Sequence, residues 1–307
     1  MSKITKKAKL HGVVVPVITP VDANDNVDVA AFRKVLRRLL DAKVHAIFVG
    51  GSAGEGPLLT ASAWQRMVEV AFEEVSGKAF LLGGAIDTSS RRACDKVKAL
   101  RKIGYRHFVL TPSFYITVKT PSQHLRLYGE ARDAAGDMEM IAYNIPSCTS
   151  SVLAVDTICD MARRGWVHYC KESSGDWAYL KELIERGGDL GLTVLAGDEP
   201  TSGKALLAGA KGIVPVCANY DPQSSLRLYE AGIRGDREEV ARCMKRLESL
   251  RTALLLSGAC WLTGIKYAVS QLGIGSGKPV SPLEPAEPKR KAIIKALIRK
   301  DRAARRQ

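Results

Sequence analysis

Val167-His168-Tyr169-Cys170-Lys171-Glu172-Ser173-Ser174-Gly175-Asp176 is a short apolar run that ends on a lysine and passes into a polar, glycine-containing turn. Residues 178–186 behind it read as a helix, so the stretch is one strand–turn–helix unit. The same unit recurs on both sides. Upstream, strands are read at 13–18, 46–49, 79–83, 107–110 and 138–143, and downstream at 192–196 and 212–216, each followed by an amphipathic helical stretch. Parallel strands need such crossover helices, and eight units in succession predict an α/β fold of the (β/α)8 TIM-barrel type. The barrel is expected over residues 1–235, behind a basic N-terminal tail. Residues 236–307 are expected as additional C-terminal helices packed on it. An open doubly wound sheet is the alternative, but no G-x-G-x-x-G turn follows the first strand.

The 307 residues are 46% hydrophobic and 25% charged, enough for one large core. No apolar run approaches the length that crosses a bilayer. The basic start is followed by a short apolar stretch broken by Pro16, unlike a signal peptide, so a cytoplasmic location is expected. Seven scattered cysteines without C-x-x-C spacing read as reduced thiols. The five histidines show no ligand spacing, so no metal is expected. Net charge is +14, with basic residues concentrated at the two ends. In the 289–300 segment Ile293, Ile294, Leu297 and Ile298 fall at helical spacing, which predicts one packed face and one solvated, basic face. Neither a nucleic-acid nor a membrane partner is expected.

In a barrel of this kind the chemistry sits at the C-terminal ends of the strands. Strand two ends in Gly50-Gly51-Ser52-Ala53-Gly54-Glu55-Gly56, a tight turn whose backbone N–H groups suit a carboxylate. Strand five ends in Tyr143-Asn144-Ile145-Pro146, strand six in Lys171, and strand seven in Gly197-Asp198-Glu199. The acidic pair could meet substrate hydroxyls or cap the next helix. Taken alone, Lys171 reads as a strand-end lysine with its head in solvent. On one rim with an anion-binding turn and a phenol, it becomes a buried amine with a lowered pKa, able to attack a ketone. Those three parts are what a Schiff-base reaction on a 2-keto acid requires.

These residues resemble the dihydrodipicolinate synthase and N-acetylneuraminate lyase group of class I, pyruvate-dependent aldolases and lyases. The likeness runs from Val13-Val14-Val15-Pro16-Val17-Ile18-Thr19-Pro20 to Gly264-Ile265-Lys266-Tyr267-Ala268. Its most specific pieces are Gly51-Ser52-Ala53-Gly54-Glu55, Tyr143-Asn144-Ile145-Pro146 and Lys171-Glu172-Ser173-Ser174-Gly175-Asp176. The resemblance implies a catalytic set of Lys171 as the imine-forming lysine, Tyr143 as the proton shuttle and Ser52 as its relay. It implies that Gly51, Ser52 and Ala53 hold the 2-keto acid carboxylate and that Val214 offers its carbonyl to the site. It also implies no cofactor and a homotetramer or homodimer.

Three departures bear on the substrate. Cys148 stands where synthases acting on aspartate semialdehyde carry an arginine, and a thiol cannot replace a bidentate carboxylate clamp. Ala53 replaces a second hydroxyl residue. Phe114 takes the place of a tyrosine that the family contributes to a neighbouring subunit, with Tyr115 beside it, and Val216 stands near where neuraminate lyases carry a serine. Dihydrodipicolinate synthesis and sialic acid cleavage are therefore both disfavoured. The expected reaction is reversible aldol cleavage of a 2-keto-3-deoxy sugar acid or similar compound to pyruvate and an aldehyde. A dehydratase or hydratase using the same imine, and a catalytically impaired barrel acting as a binding protein, are the alternatives.

Overall fold

In the computed structural model, which describes residues 9–304, eight strands close into one parallel barrel in sequence order. They are β1 (Gly12–Pro16), β2 (Ala46–Val49), β3 (Phe80–Gly84), β4 (His107–Leu110), β5 (Glu139–Asn144), β6 (Tyr169–Glu172), β7 (Thr193–Ala196) and β8 (Gly212–Ile213), with β8 pairing back to β1. The crossover helices are α1 (Val29–Asp41), α2 (Ala61–Val75), α3 (Ser90–Ile103), α4 (Pro121–Ala135), a single turn α5 (Pro146–Thr149), α6 (Val155–Arg163), α7 (Trp177–Asp189), α8 (Ser202–Leu207) and α9 (Pro222–Ile233). Three more close the chain: α10 (Arg237–Arg251), α11 (Trp261–Ser270) and α12 (Pro288–Ala304).

Side chains alternate across each strand, and the alternation divides the core in two. Val14, Phe48, Leu82, Val109, Ile141, Tyr143, Tyr169 and Leu195 fill the barrel interior. Val13, Val15, Ile47, Val49, Phe108, Met140, Cys170 and Val194 point outward and pack against the helices. Helix starts follow local capping: the Asp28, Thr60 and Thr120 side chains accept from backbone N–H groups of α1, α2 and α4.

Several expected boundaries shift for physical reasons. The sixth strand was expected over 167–171 but runs one residue further, because Glu172 still pairs with Asn144 on one side and Ala196 on the other. Lys171 is therefore the penultimate residue of β6, inward-facing like Tyr169, and does not sit at its tip. The eighth strand was expected over 212–216 and stops at Ile213, since Pro215 has no N–H to donate. Asn219 reinforces that weak seam, accepting from Ile18 N–H and donating to the Pro16 carbonyl.

The C-terminal helices also differ in detail. The 237–256 stretch changes to a π-helical turn at Thr252–Leu256. In α12 the buried stripe is Arg290, Ile294 and Ile298, whereas Ile293 is exposed. Arg290 is buried because its guanidinium donates to the carbonyls of Leu254, Leu255, Cys260 and Trp261, gathered where the π-turn ends and α11 begins. Residues 1–8 and 305–307, which include most of the basic N-terminal tail, lie outside the described residues. Among the described residues no single helix is long and apolar enough to cross a membrane, and all seven cysteines are free thiols.

Candidate active site

β5 and β6 are hydrogen-bonded neighbours in a register that places Tyr143 directly beside Lys171. Both side chains point into the barrel mouth, where the Lys171 Nζ lies 3.9 Å from the centre of the Tyr143 ring and 5.1 Å from that of Phe48. Lys171 is 6% exposed. Burial pulls its pKa down to about 7, and no carboxylate among the described residues pushes it back up. Near neutral pH a large share of the amine is thus the unprotonated, nucleophilic form.

Space for that lysine depends on Gly197 at the end of β7. A Cβ there would lie 2.9 Å from Lys171 Cε and 2.1 Å from Ser173 Oγ, so any side chain would displace the amine. Burial pushes the Tyr143 phenol up from its ordinary value, the largest influence on it, while the nearby Ser173 and Ser52 hydroxyls act the other way. The phenol is therefore neutral at physiological pH and able to donate.

The glycine-rich turn after β2 completes the rim. Gly50 has φ +69°, a conformation glycine adopts freely, and a Cβ on Gly51 would meet the Phe48 ring at 2.6 Å. The turn closes on itself through Glu55 N–H to Ser52 carbonyl and Gly56 N–H to Gly51 carbonyl. The Ser52 and Ala53 N–H groups have no acceptor among the described residues and form a nest suited to an anion. The Glu55 carboxylate holds the turn from behind, pairing with buried Lys266 of α11 and accepting from Val280 N–H at 2.7 Å.

Lys171, Tyr143, Ser52, Ala53 and Val214 line one cavity of about 180 Å³. Gly51, expected with them, is not among its lining residues; its carbonyl accepts from Gly56 N–H within the turn. Cys148 reaches the cavity from α5, its Sγ 3.8 Å from Ser52 Oγ. Of the acidic pair after β7, Asp198 lines the cavity, while the buried Glu199 carboxylate is tied to Cys217 N–H at 2.8 Å. Sequence reasoning missed Arg251, Leu255 and Trp261, which reach the cavity from the C-terminal helices. Helix packing places them, and no strand-end pattern announces them. Phe48, beneath the lysine, shares the inward strand face with Ala46 and was likewise not singled out from the sequence. A cavity of about 530 Å³ at the opposite end of the barrel, around Phe80, His107 and Tyr169, brings together no comparable set.

Comparison with known proteins agrees with this geometry. The model of the Dihydrodipicolinate synthetase family matches residues 9–301. An uncharacterized DapA-like lyase of Halobacterium salinarum is 30% identical over 94% of this chain and 92% of its own length. A 4-hydroxy-tetrahydrodipicolinate synthase of Methanothermobacter thermautotrophicus is 31% identical over 88% of this chain and 95% of its own. The solved dihydrodipicolinate synthase of Bacteroides thetaiotaomicron superposes with a TM-score of 0.90 at 25% identity, covering 96% of this chain and all of that one. With the family model spanning the barrel and the C-terminal helices alike, the chain belongs to the dihydrodipicolinate synthetase family of lyases.

Proposed function

We propose that this chain is a class I aldolase acting on pyruvate or a related 2-keto acid through an imine on Lys171. The observation that carries the reading is a buried lysine that, among the described residues, has no carboxylate partner and packs on the ring of Tyr143 in the cavity that the unpaired Ser52 and Ala53 N–H groups also line. The Ser52 and Ala53 N–H groups receive the carboxylate and aim the ketone at Nζ. The amine adds to the ketone carbon, and loss of water leaves the protonated imine. Removing a proton from C3 gives the enamine, whose carbon attacks an aldehyde and forms the new C–C bond. Tyr143, relayed by Ser52, gives the resulting alkoxide its proton and regains one from C3 of the next substrate. Water then hydrolyses the imine and releases a 4-hydroxy-2-keto acid. Val214 lines the same pocket, and its carbonyl is assigned to orienting the substrate.

Dihydrodipicolinate synthesis is not the reaction we assign, although synthases stand among the relatives. Where those enzymes would hold a carboxylate-bearing aldehyde with a guanidinium, this site offers the Cys148 thiol. We further infer a homotetramer or homodimer, which sedimentation equilibrium tests. The function itself is tested by incubating the protein with pyruvate, reducing with borohydride and mapping peptides by mass. One reduced pyruvate on Lys171 is the expected result, and unmodified Lys171 overturns the assignment.

A further inference from the structure

α10 and its π-turn do not run straight into α11. The stretches Arg237–Leu256 and Trp261–Ser270 meet at 105°, with residues 257–260 as the corner. Both arms of that corner supply the imine cavity, Arg251 and Leu255 from the arm before it and Trp261 from the arm after. What ties the arms together stands on neither. Arg290 of α12 has no exposed surface, and its guanidinium reaches across the corner. Nη2 donates to the Leu254 and Leu255 carbonyls at 2.8 and 2.9 Å on one arm, and to the Trp261 carbonyl at 3.3 Å on the other. Nη1 donates to the Cys260 carbonyl and, at 3.2 Å, to the Thr263 hydroxyl. Two glycines leave the space for it. A Cβ on Gly258 would lie 2.7 Å from Arg290 Cδ, and one on Gly264 would lie 2.5 Å from Arg290 Nε. Glu287, just before α12, accepts from Ala259 N–H at 3.3 Å in the corner itself.

We propose that Arg290 is a positioning residue of the imine site. Touching no substrate, it sets the angle of the corner and, through it, where Arg251, Leu255 and Trp261 stand around bound pyruvate. The inference rests on the imine reading above. Stability alone is a weak reason for a buried guanidinium, because desolvation offsets much of what its bonds contribute. Here the Nε also has no hydrogen-bond partner among the described residues, a further loss. Geometry is the stronger reason. A planar guanidinium fixes the directions of its donors, so carbonyls bonded to it from two arms are held at one angle; a lysine's rotatable ammonium does not do this. Lys171 and Tyr143 stand on β6 and β5, which take none of these Arg290 bonds. The wall can therefore shift while the reacting groups keep their places, and the consequence falls on pyruvate affinity.

The test uses pyruvate alone. Its imine on Lys171 is trapped with cyanoborohydride, which spares the free ketone, and the trapping rate is followed against pyruvate concentration. In Arg290→Ala the half-saturating concentration is expected to rise at least about tenfold, a difference of about 1.4 kcal/mol, while the rate at saturation stays within about twofold of the parent. A brace of stability alone would instead lower the folded fraction, and with it the maximum, at unchanged half-saturation. Millimolar guanidinium ion should bring the half-saturation of Arg290→Ala back toward the parent value. Arg290→Lys should not recover it. Glu287→Ala, a change at an exposed position, should move it the same way by a smaller amount. Tryptophan emission is recorded on the same samples, and Arg290→Ala should alter it in the parent background but not in Trp261→Phe. Where Arg290→Ala does not fold, Arg290→Lys decides by the same reading. A folded Arg290 variant with the parent's half-saturation overturns the positioning role and leaves the imine reading standing. Absence of trapping in the parent protein overturns the imine reading and this inference with it.

Discussion

Among the described residues two lysines are buried, and their surroundings differ in one respect that separates chemistry from architecture. Lys266 of α11 is almost fully buried, pairs with the Glu55 carboxylate and donates to the Thr19 carbonyl at 2.8 Å. Lys171 is also buried but faces aromatic rings and meets no carboxylate among the described residues. Burial lowers both pKa values, yet for Lys266 the carboxylate pushes back, and its donors are committed to the turn it braces. A paired ammonium holds a loop; an unpaired amine is free to react. The two meet at one turn, since Lys266 braces through Glu55 the segment whose Ser52 and Ala53 line the cavity of Lys171.

Substitutions sharpen this contrast in order of size. Lys171→Ala should abolish turnover and pyruvate trapping while circular dichroism stays unchanged; residual turnover would place the nucleophile elsewhere. Tyr143→Phe, which keeps the ring packed on Lys171, should lower kcat by about 10²–10⁴-fold, the usual worth of a general acid–base group. Unchanged kinetics would remove its assigned role. Lys266→Ala acts on the other side of the comparison. It strands Glu55 as a buried, uncompensated charge, so urea unfolding should show a loss of about 3–5 kcal/mol. A variant as stable as the parent would mean that the pair braces nothing.

The smallest effect runs the opposite way. The folded pKa of Lys171 lies near 7, below its unfolded value, so the fold disfavours the charged form. That cost is fully present below pH 7 and disappears as pH rises toward the ordinary lysine pKa of about 10.4. Lys171→Met should therefore raise the thermal midpoint by a few degrees at pH 6, with the gain shrinking toward zero near pH 10. A gain independent of pH would sever the link between burial and titration.

Much of this was legible in the sequence because the barrel repeats one simple unit. Eight alternating runs specify eight strands, and the ends of strands two, five and six carry Ser52, Tyr143 and Lys171 to one rim. The exact seat of Lys171 was not legible, since pairing with Asn144 and Ala196 carries β6 one residue past it. Nor was the reach of Arg251 and Trp261 into the cavity, which follows from a π-helical turn and the packing of α11. Arg290 illustrates the limit well. A segment whose charges were read as one solvated face buries one guanidinium, because it donates to four carbonyls gathered at a helix break.

The pH dependence of imine formation tests the central claim most directly. Pyruvate is trapped with borohydride across pH 5–10, and the adduct is located and its rate of formation measured. The account predicts a single adduct on Lys171 whose rate rises through about pH 7, where the buried amine loses its proton. An adduct on Lys266, or a rise delayed to about pH 10 as for an ordinary lysine, would contradict it.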